Sequence, residues 1–218
     1  MTEFYTTTQQ RLQDEFQTSA LAARLLAAVV TAEISDDQAA FIHARNMFFL
    51  STIDEAGFPS CSYKGGAPGF VRVTGPRSLL FPNYDGNGMF MSMGNIEAQH
   101  KLGLLFVDFE TPRRLRVRGE ARLLRDGPML ASYPGASLVV QVEVERVWVN
   151  CPRYVHRMQS VEQSPYVPLD DGSAKLALWK RIDVMQDVLS DDDRAAAAQT
   201  GLITPDEYQS RVGRGDPG

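Results

Sequence analysis

Apolar positions return at helical intervals near the start of the chain and give way to strand-like runs from about residue 47. Between Thr8 and Glu33, Leu12, Phe16, Leu21, Leu25, Leu26, Val29 and Val30 recur mostly three to five residues apart, the spacing of one helix face. This predicts an amphipathic N-terminal helical arm over residues 1–34. Ser35 followed by Gln38 is a capping-box pattern, which starts a short helix ending near Ala44. Met47 to Ile53 is apolar and β-branched, and Asp54-Glu55-Ala56-Gly57 supplies the glycine a tight turn needs, so a strand and a hairpin follow. Phe58 to Tyr63, Phe70 to Thr74 and Ser78 to Asn83 read as further strands, broken by Lys64 to Gly69 and by Gly75-Pro76-Arg77.

Met89, Met93 and Ile96 then fall on one helix face, with Asn87 as the expected N-cap. Leu102 to Phe109 is a nearly continuous apolar run and predicts a central strand. Arg114 to Arg122 alternates, placing Leu115, Val117 and Ala121 on one face and Arg114, Arg116 and Arg118 on the other. Ser137 to Val149 is the last long strand, rich in valine. Strands joined by turns and interrupted by one helix predict an antiparallel barrel. Beyond it, Asn150 with Cys151-Pro152 predicts a helix over Arg153 to Gln159, and Val161 to Ser173 reads as loop. Further helices are expected over Leu176 to Leu189, after Ser190, and from the capping box Thr204-Pro205-Asp206-Glu207, with a disordered tail from Gly213. The expected organisation is an arm (1–34), a barrel domain (35–160) and a helical extension (161–218).

Composition narrows the function classes. The 218 residues are 44% hydrophobic, enough to bury a core without disulfides or metal. Lys and Arg number 22 against 27 for Asp and Glu; the net charge of -5 argues against general nucleic-acid binding or an anionic membrane surface, so a phosphate site must be local. Cys61 and Cys151 match neither a disulfide framework nor a metal-ligand spacing, which points to a reducing cytoplasm. The most apolar stretch, Ala20 to Ala32, is too short to span a bilayer and carries Arg24, so no membrane or export segment is expected.

The chain has no Walker-type phosphate loop, no Gly-x-Ser-x-Gly elbow and no histidine pair at metal spacing. Its most informative stretch is Ser62-Tyr63-Lys64-Gly65-Gly66-Ala67-Pro68-Gly69-Phe70-Val71-Arg72, which joins two cations to glycines that permit close backbone approach. That combination suits a phosphate or a planar ligand rich in hydrogen-bonding groups. A second loop, Asn83-Tyr84-Asp85-Gly86-Asn87-Gly88-Met89, leads into a helix whose free amides and positive dipole end favour an anion. The row Arg114, Arg116 and Arg118 suits either an acidic cofactor or ordinary surface ion pairs.

Taken together, these segments resemble the pyridoxamine 5'-phosphate oxidase-like family of flavin-binding split barrels over Phe41 to Met158. The segments that carry the likeness are Met47 to Pro59, Ser62 to Val73, Leu80 to Asn95, Gly103-Leu104-Leu105-Phe106 and Arg113 to Ala121. The resemblance implies a mainly β fold with flanking helices: an antiparallel, six-stranded Greek-key split barrel, homodimeric, with FMN at each of two sites in the subunit interface. It implies cofactor contacts from Ser62, Lys64, Gly65, Gly66, Phe70, Val71, Arg72, Pro82, Asn83, Asn87, Gly88, Met89 and Arg114. Arg72 stands where the family closes a strand with a basic residue, and Pro82-Asn83 at the strand end that lines the flavin. Gly88-Met89 replaces the family's basic phosphate-gripping pair, so backbone amides, Asn87, and Lys64 or Arg72 must supply the anion contacts. Arg114 replaces a Gln that approaches the isoalloxazine. The Arg and His elements that bind substrate in true oxidases have no recognisable counterpart after Val161.

The implied function is FMN-dependent oxidation or reduction of a small conjugated or aromatic molecule, with the catalytic residues unassigned. Three other readings stay open at this point: a deazaflavin-dependent reductase, a flavin or haem carrier or sensor without turnover, and a barrel that has lost its cofactor.

Overall fold

The computed structural model describes residues 4–215, in two compact units that divide between Val161 and Glu162. The first opens with α1 (Thr7–Glu15) and α2 (Ser19–Val29), broken at Gln17, whose φ of 56° no helix continues. Neither helix buries a residue, so the apolar spacing describes a helical pair rather than one rod. The two-residue strand β1 (Val30–Thr31) and α3 (Asp36–His43) follow, and both arms of the Ser35–Gln38 capping box form.

Seven longer strands build the sheet: β2 (Met47–Ile53), β3 (Pro59–Gly65), β4 (Arg72–Gly75), β5 (Ser78–Tyr84), β6 (Lys101–Asp108), β7 (Arg113–Leu124) and β8 (Ala136–Asn150). Helix α4 (Met91–Gln99) lies between β5 and β6, and α5 (Gly127–Ala131) between β7 and β8. All strand pairs in this mainly β unit are antiparallel, in the order β3-β2-β6-β7-β8-β5-β4, with β1 on β8. There are eight strands where six were implied, the additions being short edge pieces such as β1. Phe70 and Val71 precede β4 instead of lying in it, because both are core residues of the preceding loop.

The sheet curls on itself. Phe48 on β2 and Phe81 on β5 are four strands apart along the path, about 19 Å in a flat sheet, yet their ring centroids are 5.0 Å apart. Phe70 and Phe106 complete this aromatic centre, at 5.7 and 5.3 Å from Phe48. Around it Leu50, Leu79, Leu104, Val117, Val140, Val142 and Val144 are buried, together with Ile96 from α4 and Ile42 from α3. The alternation expected of β7 holds, with Leu115, Val117 and Ala121 buried. Among the described residues the two end strands, β3 and β4, are not paired, so the barrel is split there.

Two close approaches require glycine. At the β7–β8 bulge, a Cβ on Gly119 would lie 2.1 Å from the Glu143 carbonyl oxygen. In the β3–β4 connection, a Cβ on Gly66 would lie 2.5 Å from the Phe70 ring.

On the outer face one row of side chains crosses six strands in register: Tyr63, Phe49, Leu105, Arg116, Trp148 and Val30. Directly opposed residues of antiparallel strands share a face, so the row is continuous. Phe49 and Tyr63 meet edge to face at 6.1 Å, and Phe4 packs on Trp148 at 5.5 Å.

After β8 the expected helix over Arg153 to Gln159 does not form; the segment is a turn and extended chain, with Tyr154 in the left-handed region. In the second unit the expected helix over Leu176 to Leu189 is two 3-10 turns, Leu178–Arg181 and Asp183–Val188. An ion pair between buried Lys180 and half-buried Asp193, with both carboxylate oxygens 3.0 Å from Nζ, fastens them to α6 (Asp191–Thr200). Helix α7 (Pro205–Gly213) starts on the Thr204 hydroxyl, which accepts from the Glu207 amide, while the Glu207 carboxylate pairs with Arg211 instead of closing the box. Of the expected tail, 216–218 lies outside the described residues. No described helix is long and apolar enough to cross a membrane.

Candidate functional site

The split produces a cleft. Strand β4 pairs only with residues Ser78 to Leu80, leaving Phe81 to Tyr84 with β8 as their sole neighbour. Pro82, which has no amide to give, is tolerated on such a half-paired segment. Opposite it, β3 is an edge strand. Between them opens a cleft of about 790 Å³, floored by Ser60 to Gly65 and Pro82 to Tyr84 and closed by Asp85 to Met93 and Gly135 to Ser137.

Register decides what faces inward. Ser60, Ser62 and Lys64 stand opposite Thr52, Leu50 and Phe48, all buried, so they share the interior face of β3. Ser62 Oγ lies 3.0 Å from Ser92 Oγ in the first turn of α4, and Asn95 Nδ2 donates to Thr52 Oγ1 at 3.0 Å. These bonds pin α4 across the open edge. Among the described residues no carboxylate pairs with half-buried Lys64, and burial alone holds its ammonium below the ordinary lysine pKa. Such a cation is partly desolvated and unneutralised, a condition that an anionic ligand relieves.

On the other wall, Asn83 Nδ2 donates to Ser137 Oγ at 3.1 Å, and the Ser137 hydroxyl donates to the Asn83 carbonyl at 3.0 Å. Asn87 does not cap α4, contrary to the expectation; its side-chain oxygen accepts from the Met89 amide at 3.1 Å in a local turn. The N-cap is Phe90, in the left-handed region, and no side chain caps the helix. The first turn of α4 therefore faces the cleft with its backbone donors uncapped by side chains, the positive end of the helix dipole. Met89 lies before the helix and is exposed, while Met93 and Ile96 are buried on its inner face.

Of the sequence candidates, Ser62, Lys64, Gly65, Pro82, Asn83, Asn87, Gly88 and Met89 line this cleft. Gly66, Phe70 and Val71 do not: the latter two are core, and Gly66 packs against the Phe70 ring. Arg72 is also elsewhere. It donates to Ser132 Oγ at 2.9 Å and to the Ser132 carbonyl at 2.8 Å, with its guanidinium over the Tyr133 ring. Its charge still reaches Tyr84 in the cleft, opposing the upward push of burial on that phenol. Arg114 donates to the Cys151 carbonyl at 2.9 Å and lines a separate cleft of about 320 Å³ with Phe41, Pro112 and Asn150. Arg118 pairs with Glu145 at 3.0 Å. Tyr63, Phe90, Met91 and Ser137 were not among the candidates. Ser137 reaches the cleft only through the β5–β8 register, and the other three give no signal beyond their place beside the candidate loops.

The sequence model described as pyridoxamine 5'-phosphate oxidase matches residues 34–164, well over half of the chain. The chain belongs to the pyridoxamine 5'-phosphate oxidase family. The match covers every residue of the cleft and of the curled sheet from β2 to β8. A search of curated protein sequences gave no match. Solved structures with a similar fold include HupZ of Group A Streptococcus, at 19% identity, covering 58% of this chain and 99% of its own, with a TM-score of 0.45. A Clostridium acetobutylicum protein of the pyridoxinephosphate oxidase family, related to general stress protein 26, shows 14% identity, 52% and 85% coverage and a TM-score of 0.40. HutZ, the haem storage protein of Vibrio cholerae, shows 14% identity, 54% and 94% coverage and a TM-score of 0.37. Membership rests on the sequence match, since all three scores are below 0.5.

Proposed function

We propose that the cleft binds FMN and that two copies of the chain form a dimer that uses it to oxidise or reduce a small conjugated or aromatic molecule. The observation that carries this reading is Lys64, half-buried and paired with no carboxylate among the described residues, on the interior face of an edge strand beside the uncapped start of α4. A phosphate would neutralise the one and accept from the other. The cleft volume lies in the range of small-molecule sites, about 300–1,000 Å³. Its lining combines anion donors near Lys64 and Asn87 with apolar and aromatic surface at Met89, Phe90 and Met91. Those residues fit both ends of a flavin mononucleotide.

Dimerisation is supported by the row from Tyr63 to Val30, which presents aromatic and aliphatic groups on either side of Arg116 on the outside of a sheet. A second copy laid on that row is also what would bring Arg114 to a flavin, since within its own chain it lines a different cleft. When bound, FMN supplies hydride or single-electron transfer; the chain's residues hold and orient it and exclude water.

The test is the absorption spectrum of the purified protein, with mass analysis of any chromophore released by heat and titration of the apoprotein with FMN. Release or tight binding of FMN supports the reading. A released deazaflavin or haem, or no affinity for FMN, overturns it.

A further inference from the structure

The smaller cleft, of about 320 Å³, opens where the start of β7 and the end of β8 meet α3, and it shares no lining residue with the cleft of Lys64. Its volume falls at the small end of the range for ligand sites. Much of its hydrogen-bonding capacity is unused by the chain itself. Arg114 donates through Nε to the Cys151 carbonyl, and its two terminal nitrogens have no partner among the described residues. Arg113, with its guanidinium carbon 5.0 Å from the Phe41 ring centroid, likewise pairs there with no carboxylate. Asp37, in the first turn of α3, lines the same cleft and pairs with neither arginine. Asn150 stands directly opposite Arg114 across the β7–β8 pair, so the two share a face. Its side-chain oxygen is buried with no hydrogen-bond partner among the described residues. A buried acceptor in that state is uncommon in native proteins and calls for a donor. Phe41 and Val149 add apolar wall.

These groups divide by what each can hold. The two guanidinium forks suit a carboxylate. The Asp37 carboxylate and the Asn150 oxygen suit an ammonium, and the apolar wall suits hydrocarbon. A simple anion leaves both acceptors unanswered, and a simple cation leaves both arginines so; a molecule carrying both charges on a small apolar frame answers all four. We infer that this cleft binds a free amino acid with an apolar side chain, its carboxylate toward Arg113 and Arg114 and its ammonium toward Asp37 and Asn150. The inference goes beyond the FMN reading and does not rest on it; Arg114 is the one residue the two share.

The experiment is calorimetric titration of the full-length protein with L-phenylalanine, with 3-phenylpropionate, which lacks the ammonium, and with L-phenylalaninamide, which lacks the carboxylate. Phenylalanine should bind at least tenfold more tightly than either. Arg113→Gln should weaken phenylalanine at least tenfold. Asp37→Asn should do the same while leaving 3-phenylpropionate unchanged. Both positions are exposed, so thermal midpoints should hold in these variants. Val149→Trp, which fills the cleft from a half-exposed position, should abolish binding. No binding of phenylalanine at millimolar concentration overturns the inference, as does equal binding of all three compounds. Affinity unchanged by Arg113→Gln and Asp37→Asn overturns it too. Binding that survives Val149→Trp and is lost in Lys64→Met places the molecule in the larger cleft and has the same effect. Failure to bind phenylalanine leaves the FMN reading standing, and failure to bind FMN leaves this one standing.

Discussion

Arg72 and Tyr133 form a clamp: the guanidinium carbon lies 3.8 Å from the ring centroid, while two of its nitrogens donate to Ser132. The pair ties the β4–β5 hairpin to the turn after α5, where Tyr133 packs with Leu80 and Val139 in a small second core. In this chain Arg72 is thus committed to structure. Replacing Arg72 with Ala should lower stability by about 1–3 kcal/mol, the sum of a cation–π contact and its hydrogen bonds. FMN affinity should change less than for any residue lining the cleft. Denaturant melts together with FMN titration check both parts.

Burial raises the Tyr133 phenol to about 12, with the nearby Arg72 charge acting in the opposite direction. A phenol whose pKa is higher in the folded state than in the unfolded chain keeps its proton there after the unfolded chain has lost its own. Folding stability therefore falls as pH rises from about 10 toward 12. Tyr133→Phe should flatten this alkaline loss, at some cost at neutral pH from the missing bond to the Leu80 carbonyl. Thermal midpoints across that pH range decide it.

Lys64 behaves in the opposite sense. Its folded-state pKa is depressed by burial, so the cost of holding it charged is present at neutral pH and is relieved as pH rises through the lowered value toward 10.5. Lys64→Met should therefore leave the apoprotein as stable or more stable at neutral pH. FMN affinity should fall by about tenfold or more through loss of a charge-assisted contact, with riboflavin affinity little changed. Equal losses for both flavins would place the phosphate elsewhere.

The outer row predicts a shared surface. Phe49→Glu or Leu105→Glu puts a charge in the middle of it, on side chains that do not point into the core. Sedimentation should show dimers dissociating to folded monomers, with the sheet's circular dichroism retained.

Gly119→Ala should be among the most damaging single substitutions, on the order of 3 kcal/mol or more, because a methyl group there meets a carbonyl oxygen of the neighbouring strand rather than a movable side chain. A denaturation midpoint equal to that of the wild type would contradict this close approach.

The sequence by itself determined the local elements whose signal is carried by neighbouring residues. The Ser35–Gln38 box, the Met47–Ile53 strand, the glycine turn at Gly57 and the alternation of β7 all follow from periodicity and capping, and all appear. The family was legible too, because its loops are contiguous runs. Where a local pattern competes with packing, tertiary structure decided. Asn87 has the chemistry of an N-cap, but α4 is fixed from the side by Ser62 and Thr52, so the cap falls on Phe90. Asn150-Cys151-Pro152 reads as a helix start, yet the segment that follows stays extended. The cleft belongs wholly to this second class. Lys64 and Pro82 line one cleft only because a curled sheet fails to close between its end strands β3 and β4, and which of the two cations in one stretch enters it depends on the register of β3 against β2 and on a partner 60 residues from Arg72. Strand registers and ring closure are sums of many long-range contacts, and no local stretch of sequence contains them.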